Sequence, residues 1–506
     1  MGAAPDSHSV IDLAAAAEEP PRPAVPEPGA PEPGASQPGI PQPAPRPPDT
    51  MVPMPLALML TMGLRAHEAG RAEEAEAVAS NLLRSAPQDP RVLHLAGIVA
   101  FKGKRHPLGV RLLEQAIMRD PANPLYFRNI SEMYRVVGRL DEALGAIRRA
   151  VALKPDDPVG FHNQAVILHE RGQIEEGLAS SRRATTLKHD MAGAHFAIAE
   201  AQLLLGEFAE GWEEYEWRFR IPGVPPLMPP PLKQDRPQWG GGRLGEGRLM
   251  LIGDQGFGDV LQFSRYIPWA VAKGQPTFLA TSKEMAPTIR RMFPDLEIQT
   301  RWADCTTFTA YAALSGLPRL HGTRLDTIPP IVSLPLEPGK VMLWAARTTE
   351  AVPAGLKRVG IVWAGRPTHK NDRNRSIGFG LFAAALGSLP GIALLSLQKG
   401  EQSADIAGYE GTAPLIDAAK DIEDYEDTAA LIAGLDVVVT VDTSVAHLTG
   451  ILGKPCFVLL PFTPDWRWLR ARTDTPWYPS LRLFRQQTHG QWDVPLAGVV
   501  EALSAS

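Results

Sequence analysis

Residues 439–468, VTVDTSVAHLTGILGKPCFVLLPFTPDWRW, contain the pattern that indicates the fold of the C-terminal part of the chain. A buried strand is predicted up to Val441, and the polar residues Asp442, Thr443 and Ser444 follow it at the start of a helix. Because ligands of open α/β sheets bind beyond the carboxyl ends of strands, these residues mark a candidate ligand site. The free N–H groups and positive dipole end of that helix favour an anion. The pattern therefore predicts a Rossmann-type half-domain that binds a phosphate-bearing ligand.

The same alternation of short apolar runs and helical patterns, which is typical of βαβ units, extends over residues 248–506. The predicted strands are 248–254, 276–281, 358–365, 392–398, 436–442 and 456–461, and helices are predicted near 379–388, near 427–433 and from about 444. A more irregular stretch with many prolines separates the second strand from the third. We therefore expect two α/β domains, at 248–345 and 346–506, with a ligand cleft between them.

The first predicted strand leads into a glycine-rich turn, GDQGFGD at 253–259. Gly256 and Gly258 permit a tight turn and a close approach of a ligand to the backbone. Asp259 opens the following helix, and N-capping alone explains an aspartate there. The alternative is that Asp259 or Asp254 acts as a general base in the cleft.

The third predicted strand leads into a polar loop, GRPTHKNDRNRS at 365–376. Its basic and hydroxyl side chains can bind a phosphate; these residues are Lys370, Arg373, Arg375 and Ser376. His369 is a second candidate base. A solvated surface loop is the plainer interpretation, but the position at a strand end favours a ligand site.

Two further segments offer residues to the same cleft. His447 lies about one turn into its helix, on the face of Thr443, where it either packs or binds the ligand. Trp466 and Trp468 flank Arg467 in the loop after the last predicted strand. They either pack the rim of the cleft or offer an aromatic face to a sugar or base.

An internal repeat of 34 residues covers residues 56–225. The predicted turn of each unit holds Gly70, Lys104, Gly138, Gly172 or Gly206, and a close-packing position holds Ala75, Gly109, Ala143, Gly177 or Gly211. A helix–turn–helix unit of this period is the tetratricopeptide repeat. Five units are predicted, beginning near 56, 90, 124, 158 and 192. Such units stack into a superhelix with a concave groove.

Asn129 and Asn163 occupy equivalent positions on the first helices of two successive units. Stacked amides can hydrogen-bond the backbone of an extended acceptor peptide without reading its sequence. The alternative is that they are solvated surface amides. The other units carry Thr61, Leu95 and Ala197 at this position, so any ladder of amides is partial.

The segments on either side of the repeats differ in composition. The aromatic residues of 206–220 are predicted to bury the contact between the last unit and the next domain; they are Trp212, Tyr215, Trp217 and Phe219. Residues 226–247 are rich in Pro and Gly and are predicted to be an irregular linker. Residues 1–50 are rich in Pro, Ala, Glu and Gly, and we expect a disordered tail that serves as a tether or binds a proline-recognition module.

The composition narrows the class of protein. The net charge of −5 argues against non-specific nucleic-acid binding, which needs a basic face. Cys305 and Cys456 lie far apart, which favours a reducing compartment and predicts neither a disulfide framework nor a metal site. We expect no transmembrane helix and no signal peptide, and therefore a cytoplasmic protein.

Several of these motifs together resemble bacterial proteins that join tetratricopeptide repeats to a GT-B glycosyltransferase domain. The segments that carry the resemblance are GWEEYEWRF, GDQGFGDVLQFSRYIP, LSGLPRLHGTRLDTIP, RVGIVWAGRPTHKNDRNRSI, SLQKG, VDTSVAHLTGILGKP and PDWRWLRARTDTPWYPSLRLFRQ. Within this group the chain is similar to flagellin glycosyltransferases, which modify flagellin with a nonulosonic acid. The group usually has Glu-Gln-Gly-Leu-Gly-Asp where this chain has GDQGFGD, so the acid is shortened at Asp254.

The transferase half also resembles the ADP-heptose heptosyltransferases. That resemblance implies that Asp259 is the catalytic base and that Asp442, Thr443 and His447 contact the nucleotide part of the donor. It resembles the O-linked N-acetylglucosamine transferases of eukaryotes less closely. Taken with the strand-end motifs, the expected donor site consists of Gly256, Gly258, Arg373, Arg375, Ser376, Gln398, Asp442, Thr443, Ser444 and His447.

The expected fold is therefore an α-solenoid of tetratricopeptide repeats followed by a GT-B pair of Rossmann-like domains. The expected function is metal-independent transfer of a sugar from a nucleotide-sugar, with CMP-nonulosonic acid as a candidate donor, to a flagellin Ser or Thr recruited by the repeats. No resident cofactor is expected, because helix termini and cations can stabilise the departing phosphate. A non-catalytic scaffold with a degenerate sugar-nucleotide domain and a glycosyltransferase for a surface glycan stay open as alternatives.

Overall fold

The computed structural model describes residues 54–233, 236–273, 276–369 and 371–505. The tail predicted at 1–50 and Lys370 of the basic loop lie outside the described residues. By their internal contacts the described residues fall into two compact units, which meet in the sequence at residues 164 and 165.

The N-terminal part of the described chain folds into ten consecutive helices, α1 to α10. These are α1 (Leu56–Glu68), α2 (Ala72–Ser85), α3 (Pro90–Lys102), α4 (His106–Arg119), α5 (Pro124–Val136), α6 (Leu140–Leu153), α7 (Pro158–Glu170), α8 (Ile174–Leu187), α9 (Ala192–Leu205) and α10 (Phe208–Tyr215). They form five helix–turn–helix pairs whose first helices begin at residues 56, 90, 124, 158 and 192. The predicted repeat is confirmed, including its period.

The start of a repeat has a local cause that recurs every 34 residues. Asp89 accepts a hydrogen bond from the N–H of Arg91 at 2.9 Å, and Asn123 accepts one from the N–H of Leu125 at 3.1 Å. Each of these N-caps precedes a proline at the first helical position, where the missing N–H costs no hydrogen bond. Asp157 and Pro158 repeat the arrangement at the start of α7.

The turn inside each pair requires a left-handed backbone. The residue at this position has a φ between 61° and 85° in all five described pairs; these residues are Gly70, Lys104, Gly138, Gly172 and Gly206. Glycine adopts this conformation without a steric penalty, whereas Lys104 carries a Cβ that opposes it. The predicted turn positions are therefore confirmed.

Within the described ranges, ten parallel strands follow and form two separate sheets. Their bounds are β1 (Leu249–Ile252), β2 (Thr277–Ala280), β3 (Glu297–Gln299), β4 (Ala310–Ala313), β5 (Lys357–Val362), β6 (Ile392–Ser396), β7 (Leu415–Asp417), β8 (Val437–Val441), β9 (Cys456–Leu460) and β10 (Leu481–Arg485). The first sheet has the order β3-β2-β1-β4, and the second has the order β7-β6-β5-β8-β9-β10. The second order is that of a doubly wound Rossmann sheet, whose direction reverses between β5 and β8.

In the same part of the described chain, eleven helices accompany the sheets. They are α11 (Pro230–Lys233), α12 (Phe257–Phe263), α13 (Ile267–Ala272), α14 (Ala286–Met292), α15 (Leu317–His321), α16 (Pro338–Ala351), α17 (Asp372–Arg375), α18 (Phe379–Leu386), α19 (Tyr425–Ala433), α20 (Ser444–Ile451) and α21 (Asp493–Ser504). Helix α16 runs through the boundary expected near residue 345 and packs on α19, where Trp344 Nε1 donates to Asp427 at 3.2 Å.

The last helical pair shares its core with the sheets. Trp212 of α10 meets Trp466 edge to face, with ring centroids 5.1 Å apart, and Phe208 stacks on Trp477 at 6.0 Å. Trp212 and Trp466 are 2% and 4% exposed. The predicted aromatic contact is confirmed for Trp212 and Tyr215, which both meet Trp466, whereas Trp217 stacks on His195 of α9. Helices α9 and α10 belong to the same compact unit as the two sheets. In the described parts of the chain, no helix has the length and apolarity that crossing a bilayer requires.

Candidate functional site

A cleft of about 470 Å³ lies at the carboxyl ends of strands from both sheets. The turns after β1 and β2 form one side, and the loops after β5, β8 and β9 form the other. Of the residues predicted to bind or act in the cleft, the lining includes Gly256, Gly258, Asp259, His369, Arg375, Asp442, Thr443, Ser444 and His447. It also includes Arg366, Asp465 and Arg467, which are not among the predicted ligand contacts.

Both carboxylate oxygens of Asp259 accept hydrogen bonds. Its Oδ2 accepts the N–H of Gly256 at 2.8 Å, and its Oδ1 accepts from Nη2 of Arg467. Gly256 is the N-cap of α12 and Asp259 is the third residue of the helix. The expectation that Asp259 is itself the N-cap is therefore wrong, because its carboxylate reaches back to the N-cap backbone in the manner of a capping box.

Arg467 connects the two sides of the cleft. Besides Asp259, its guanidinium donates to Asp465 Oδ1 and to Gln262 Oε1, both at 2.7 Å, and it lies 4.4 Å from the ring centroid of Trp466. Burial opposes its charge, yet Asp465 and Asp259 hold the pKa of Arg467 above its usual range. Its position after β9, at the carboxyl end of a strand, is the sequence signal that could have identified it.

Asp442 and Asp465 are neighbouring carboxyls with opposite pKa shifts. Burial raises the pKa of Asp442 to about 6, and the negative charge of Asp465 adds to the effect. Burial also opposes ionisation of Asp465, but the charge and hydrogen bonds of Arg467 leave its pKa below the ordinary value. Asp442 can therefore exchange a proton near neutral pH, whereas Asp465 stays ionised.

His447 is a buried, neutral histidine where α12 meets α20. Burial lowers its pKa to about 3, and the Arg467 charge contributes. Its Nδ1 lies 3.0 Å from the hydroxyl oxygen of Tyr478. A Cβ at Gly258 would come within 2.8 Å of the imidazole, so glycine is required where the two helices approach. The predicted packing role is confirmed, and because His447 also lines the cleft, its role as a ligand contact stays a prediction.

The loop after β5 is folded onto the end of β8 by Arg375. Nη1 of Arg375 donates to the carbonyl oxygen of Asp442 at 3.0 Å, and Nε is 3.4 Å from Oδ1 of Asp372. Ser376 accepts the N–H of Gly365 at 2.9 Å and donates to Asp372 at 2.9 Å. Ser376 does not line the cleft in the described structure, so it shapes the loop that presents Arg375.

The helix start at α20 has no side-chain cap among the described residues. Thr443 occupies the N-cap position but makes no capping hydrogen bond; its hydroxyl oxygen lies 3.1 Å from that of Thr440. Ser444 lies 2.7 Å from the Tyr425 hydroxyl oxygen. Uncapped N–H groups and a dipole end beside Arg375 provide a setting for an anion.

His369 lines the cleft, but one of its ring nitrogens already accepts a hydrogen bond from the backbone. Its Nδ1 accepts the N–H of Asn371 at 3.3 Å, which leaves the proton of the neutral ring on Nε2. Burial, followed by the Arg375 charge, lowers the pKa of His369. This geometry suits a hydrogen-bond donor to a ligand better than a base.

Besides Ser376, three residues predicted as donor ligands or bases do not line this cleft in the described structure. Gln398 is 2% exposed and uses its Oε1 to accept the N–H groups of Trp363 and Ala364 at 3.1 and 3.0 Å. Arg373 is exposed beside the cleft. Asp254 accepts from the hydroxyl and the N–H of Ser315, so it connects the ends of β1 and β4 and cannot act as a base in the cleft.

The two predicted acceptor-binding amides lie in the repeats. Asn129 and Asn163 are 1% and 2% exposed, so the alternative that they are solvated surface amides is wrong. Nδ2 of Asn129 lies 2.8 Å from Nε2 of His94, and no described residue hydrogen-bonds Oδ1 of either amide. A buried acceptor without a partner is costly, but a peptide N–H reaches either oxygen only if neighbouring side chains move aside, so the acceptor-binding role stays a prediction.

Comparison with known proteins supports the repeat assignment. The tetratricopeptide repeat family model matches residues 60–124 and 106–158. The chain is 29% identical over 343 residues to Protein FlbA of Caulobacter vibrioides, which covers 62% of this chain and 55% of that protein. The chain thus spans about half the length of the curated relative it matches.

Solved structures match the chain in a similar way. The thermophilic TPR protein TTC0263 of Thermus thermophilus is 20% identical and covers 33% of this chain and 90% of its own, with a TM-score of 0.30. MamA of Desulfovibrio magneticus RS-1 is 16% identical and covers 32% of this chain and 93% of its own, with a TM-score of 0.30.

Proposed function

We propose that this chain is a protein glycosyltransferase of the GT-B type, which transfers a sugar from a nucleotide-sugar to a Ser or Thr hydroxyl of an acceptor protein. The observation that supports it most is the cleft itself. Strands of two Rossmann-type sheets end there, and Arg375 and the uncapped start of α20 lie beside Asp442 and Asp259. That combination suits a donor whose phosphate must be held and then released.

In this proposal the acceptor oxygen attacks the anomeric carbon of the donor. The bond from that carbon to the phosphate oxygen breaks, and its electron pair leaves with the nucleotide. Arg375 and the N–H groups of α20 stabilise the departing phosphate, while His447 packs behind them. The hydroxyl proton passes to a carboxylate, for which Asp259 is the first candidate and Asp442 the second.

The two carboxylates differ in their readiness to accept that proton. Both oxygens of Asp259 accept hydrogen bonds, one of them from Arg467. A raised pKa of about 6 makes Asp442 the better match to neutral pH. Asp259 is kept first because the resemblance to heptosyltransferases assigns the base to it.

The repeats are proposed to recruit the acceptor. Recruitment by a separate module raises the local acceptor concentration without a new contact at the reacting atoms. Asn129 and Asn163 are the predicted peptide contacts, and binding through them requires neighbouring side chains to move, since the two amides are 1% and 2% exposed. By resemblance the acceptor is flagellin and the donor carries a nonulosonic acid.

A second candidate is a binding protein that holds a sugar-nucleotide without turnover. The engaged oxygens of Asp259 and the engaged Nδ1 of His369 favour it, because neither group is free to take a proton as it stands. Under this candidate the chain binds nucleotide and acceptor, and no product forms.

The test is incubation of the full-length protein with flagellin and a panel of nucleotide-sugars, read by intact mass. A mass increase equal to one sugar residue, absent with Asp259→Asn and Asp442→Asn combined, supports the transferase. Nucleotide binding by calorimetry with no mass increase for any donor supports the binding protein. Asn129→Ala with Asn163→Ala is expected to weaken flagellin binding and to leave nucleotide affinity unchanged.

A further inference from the structure

A second cavity, of about 350 Å³, lies on the other side of the β1–α12 turn from the cleft. Its walls are mostly apolar and come from α9, α10, the linker and a short 3-10 helix at Trp302–Asp304. The residues used below are Phe196, Tyr215, Phe219, Val224 and Trp302. A volume of this order falls within the range of small-ligand pockets and accommodates one large side chain.

The cavity and the cleft share two residues, Gly253 and Gln255. Gln255 has a left-handed backbone, with a φ of 64°, which a side chain rarely adopts. Its amide is within 3.3 Å of the hydroxyl oxygen of Tyr215 in the cavity wall. Gly253 and Gln255 therefore form part of the wall between the cleft and the cavity.

The polar groups at the floor of the cavity are engaged with one another. Nη2 of Arg218 donates to Ser315 Oγ at 2.6 Å, and Ser315 donates in turn to Asp254. The Arg218 guanidinium also lies 3.9 Å from the ring centroid of Phe219. Because these charges already have partners, the cavity favours an apolar occupant over a charged or sugar-like one.

We propose that this cavity is the specificity pocket of the acceptor, and that it holds an aromatic or large aliphatic side chain of the polypeptide close in sequence to the modified hydroxyl. The proposal rests on the proposed function for the identity of the hydroxyl. The prolines at the mouth, Pro225 and Pro226, are exposed and conformationally restricted, so the pocket exists before the peptide arrives. A preformed pocket lowers the ordering cost of binding.

The test uses the full-length protein and synthetic peptides with a single Ser. In one set, Phe is placed one, two or three residues to either side of the Ser, and the parent peptide has Ala at every such position. We expect at least one Phe peptide to exceed the parent by about 10- to 100-fold in kcat/KM and in binding affinity. Val224→Trp, which fills the cavity, is expected to reduce that ratio to about one.

The matched control is Met342→Trp, which adds an indole on the exposed face of α16 and should keep the wild-type ratio. Trp302→Ala removes one wall and should lower the preference for Phe if the filled variant does not fold. If the wild-type protein modifies no peptide but still binds Phe peptides more tightly, and Val224→Trp abolishes that difference, the pocket stands and the transferase fails. An equal Phe-to-Ala ratio in wild type and in both cavity variants overturns the pocket.

Discussion

The helical repeats and the α/β region assemble their important residues in opposite ways. In the repeats, the same structural role returns every 34 residues, so that Gly138 and Gly172 occupy equivalent turns. In the α/β region, Asp259, Arg467 and Asp442 come from distant parts of the chain and meet because strands of both sheets end at the cleft. The structural role of a turn residue can be predicted from its spacing in the sequence because it depends on local backbone geometry. The role of a cleft residue cannot, because it depends on long-range packing.

The largest expected effect comes from removing the charge of Asp259, which tests whether the α/β region performs chemistry that the repeats do not. Asp259→Asn should lower turnover by about 10²- to 10⁴-fold, because a positioned base contributes that much. The amide has one acceptor oxygen for the two donors Gly256 N–H and Arg467 Nη2, so the unfolding temperature should fall, whereas nucleotide affinity should change little because Asp465 still pairs with Arg467. Steady-state rates measured beside calorimetry separate the two effects. If turnover is normal, Asp259 has only a structural role through Gly256 and Arg467, and Asp442 is the next residue to test as the base.

Two arginines of one loop test the role of long-range packing, because only one of them reaches the cleft. Arg375→Ala should weaken nucleotide binding by about 1–3 kcal/mol, as a charge-assisted hydrogen bond is lost. Arg373→Ala is the matched control, since Arg373 is exposed and is not among the lining residues. Equal losses in calorimetric affinity for the two variants contradict the proposed phosphate site.

The raised pKa of Asp442 predicts that the stability of the α/β region depends on pH through this carboxyl, which the repeats do not contain. A carboxyl whose pKa rises from 3.8 unfolded to about 6 folded is stabilising when protonated, so stability falls as pH rises through this window. Asp442→Asn should therefore raise the free energy of unfolding by about 1–2 kcal/mol at pH 7, with no gain below pH about 4. Thermal unfolding at pH 4 and pH 7 measures it. A gain of the same size at both pH values contradicts the assigned shift.

The smallest effects on the free energy of unfolding are expected in the repeats. The described residues contain five equivalent turns, and each variant changes only one of them. Lys104→Gly should stabilise the helical unit that ends at residue 164 by about 1 kcal/mol, because the left-handed turn opposes a Cβ. Gly138→Ala should destabilise that unit by a similar amount, although its Cβ meets no atom within 4 Å. Chemical denaturation gives both values. If Lys104→Gly and Gly138→Ala change the free energy of unfolding in the same direction, the left-handed backbone conformation is not the cause.

Much of the fold is predictable because its signals are local. The strands β1, β2, β5, β6, β8 and β9 are apolar runs that end in polar turns, and each lies within a residue or a few of its predicted bounds. The short strands β3, β4, β7 and β10 are not predicted, since three to five residues among prolines and turns carry no clear period. Helix α16 has 14 residues and is not predicted, because it follows Pro335 and begins at Pro338 in a proline-rich stretch that is expected to be irregular.

The candidate site residues also fall into two groups, those whose position in the cleft can be predicted from the sequence and those whose position cannot. Residues just beyond strand ends, such as Asp442 and Arg375, are predictable because the end of a strand is visible in the sequence. Asp254 and Gln398 are also near strand ends, yet their side chains turn into hydrogen bonds with Ser315 and the β5 backbone. Which way a side chain points after a strand depends on its neighbours from other elements.

The amino-acid pattern is enough to establish the repeat period, the helix starts at each Asp-Pro or Asn-Pro step, and the presence of α/β units, because backbone preference and hydrophobic period are local properties. Three other features depend on the folded chain: Arg467 bridges Asp259 and Asp465, Gly258 is needed against His447, and an apolar cavity adjoins the cleft. Contacts such as the one between Arg467 and Asp259 join residues about 200 positions apart, and they are fixed by packing and by the pairing of buried charges.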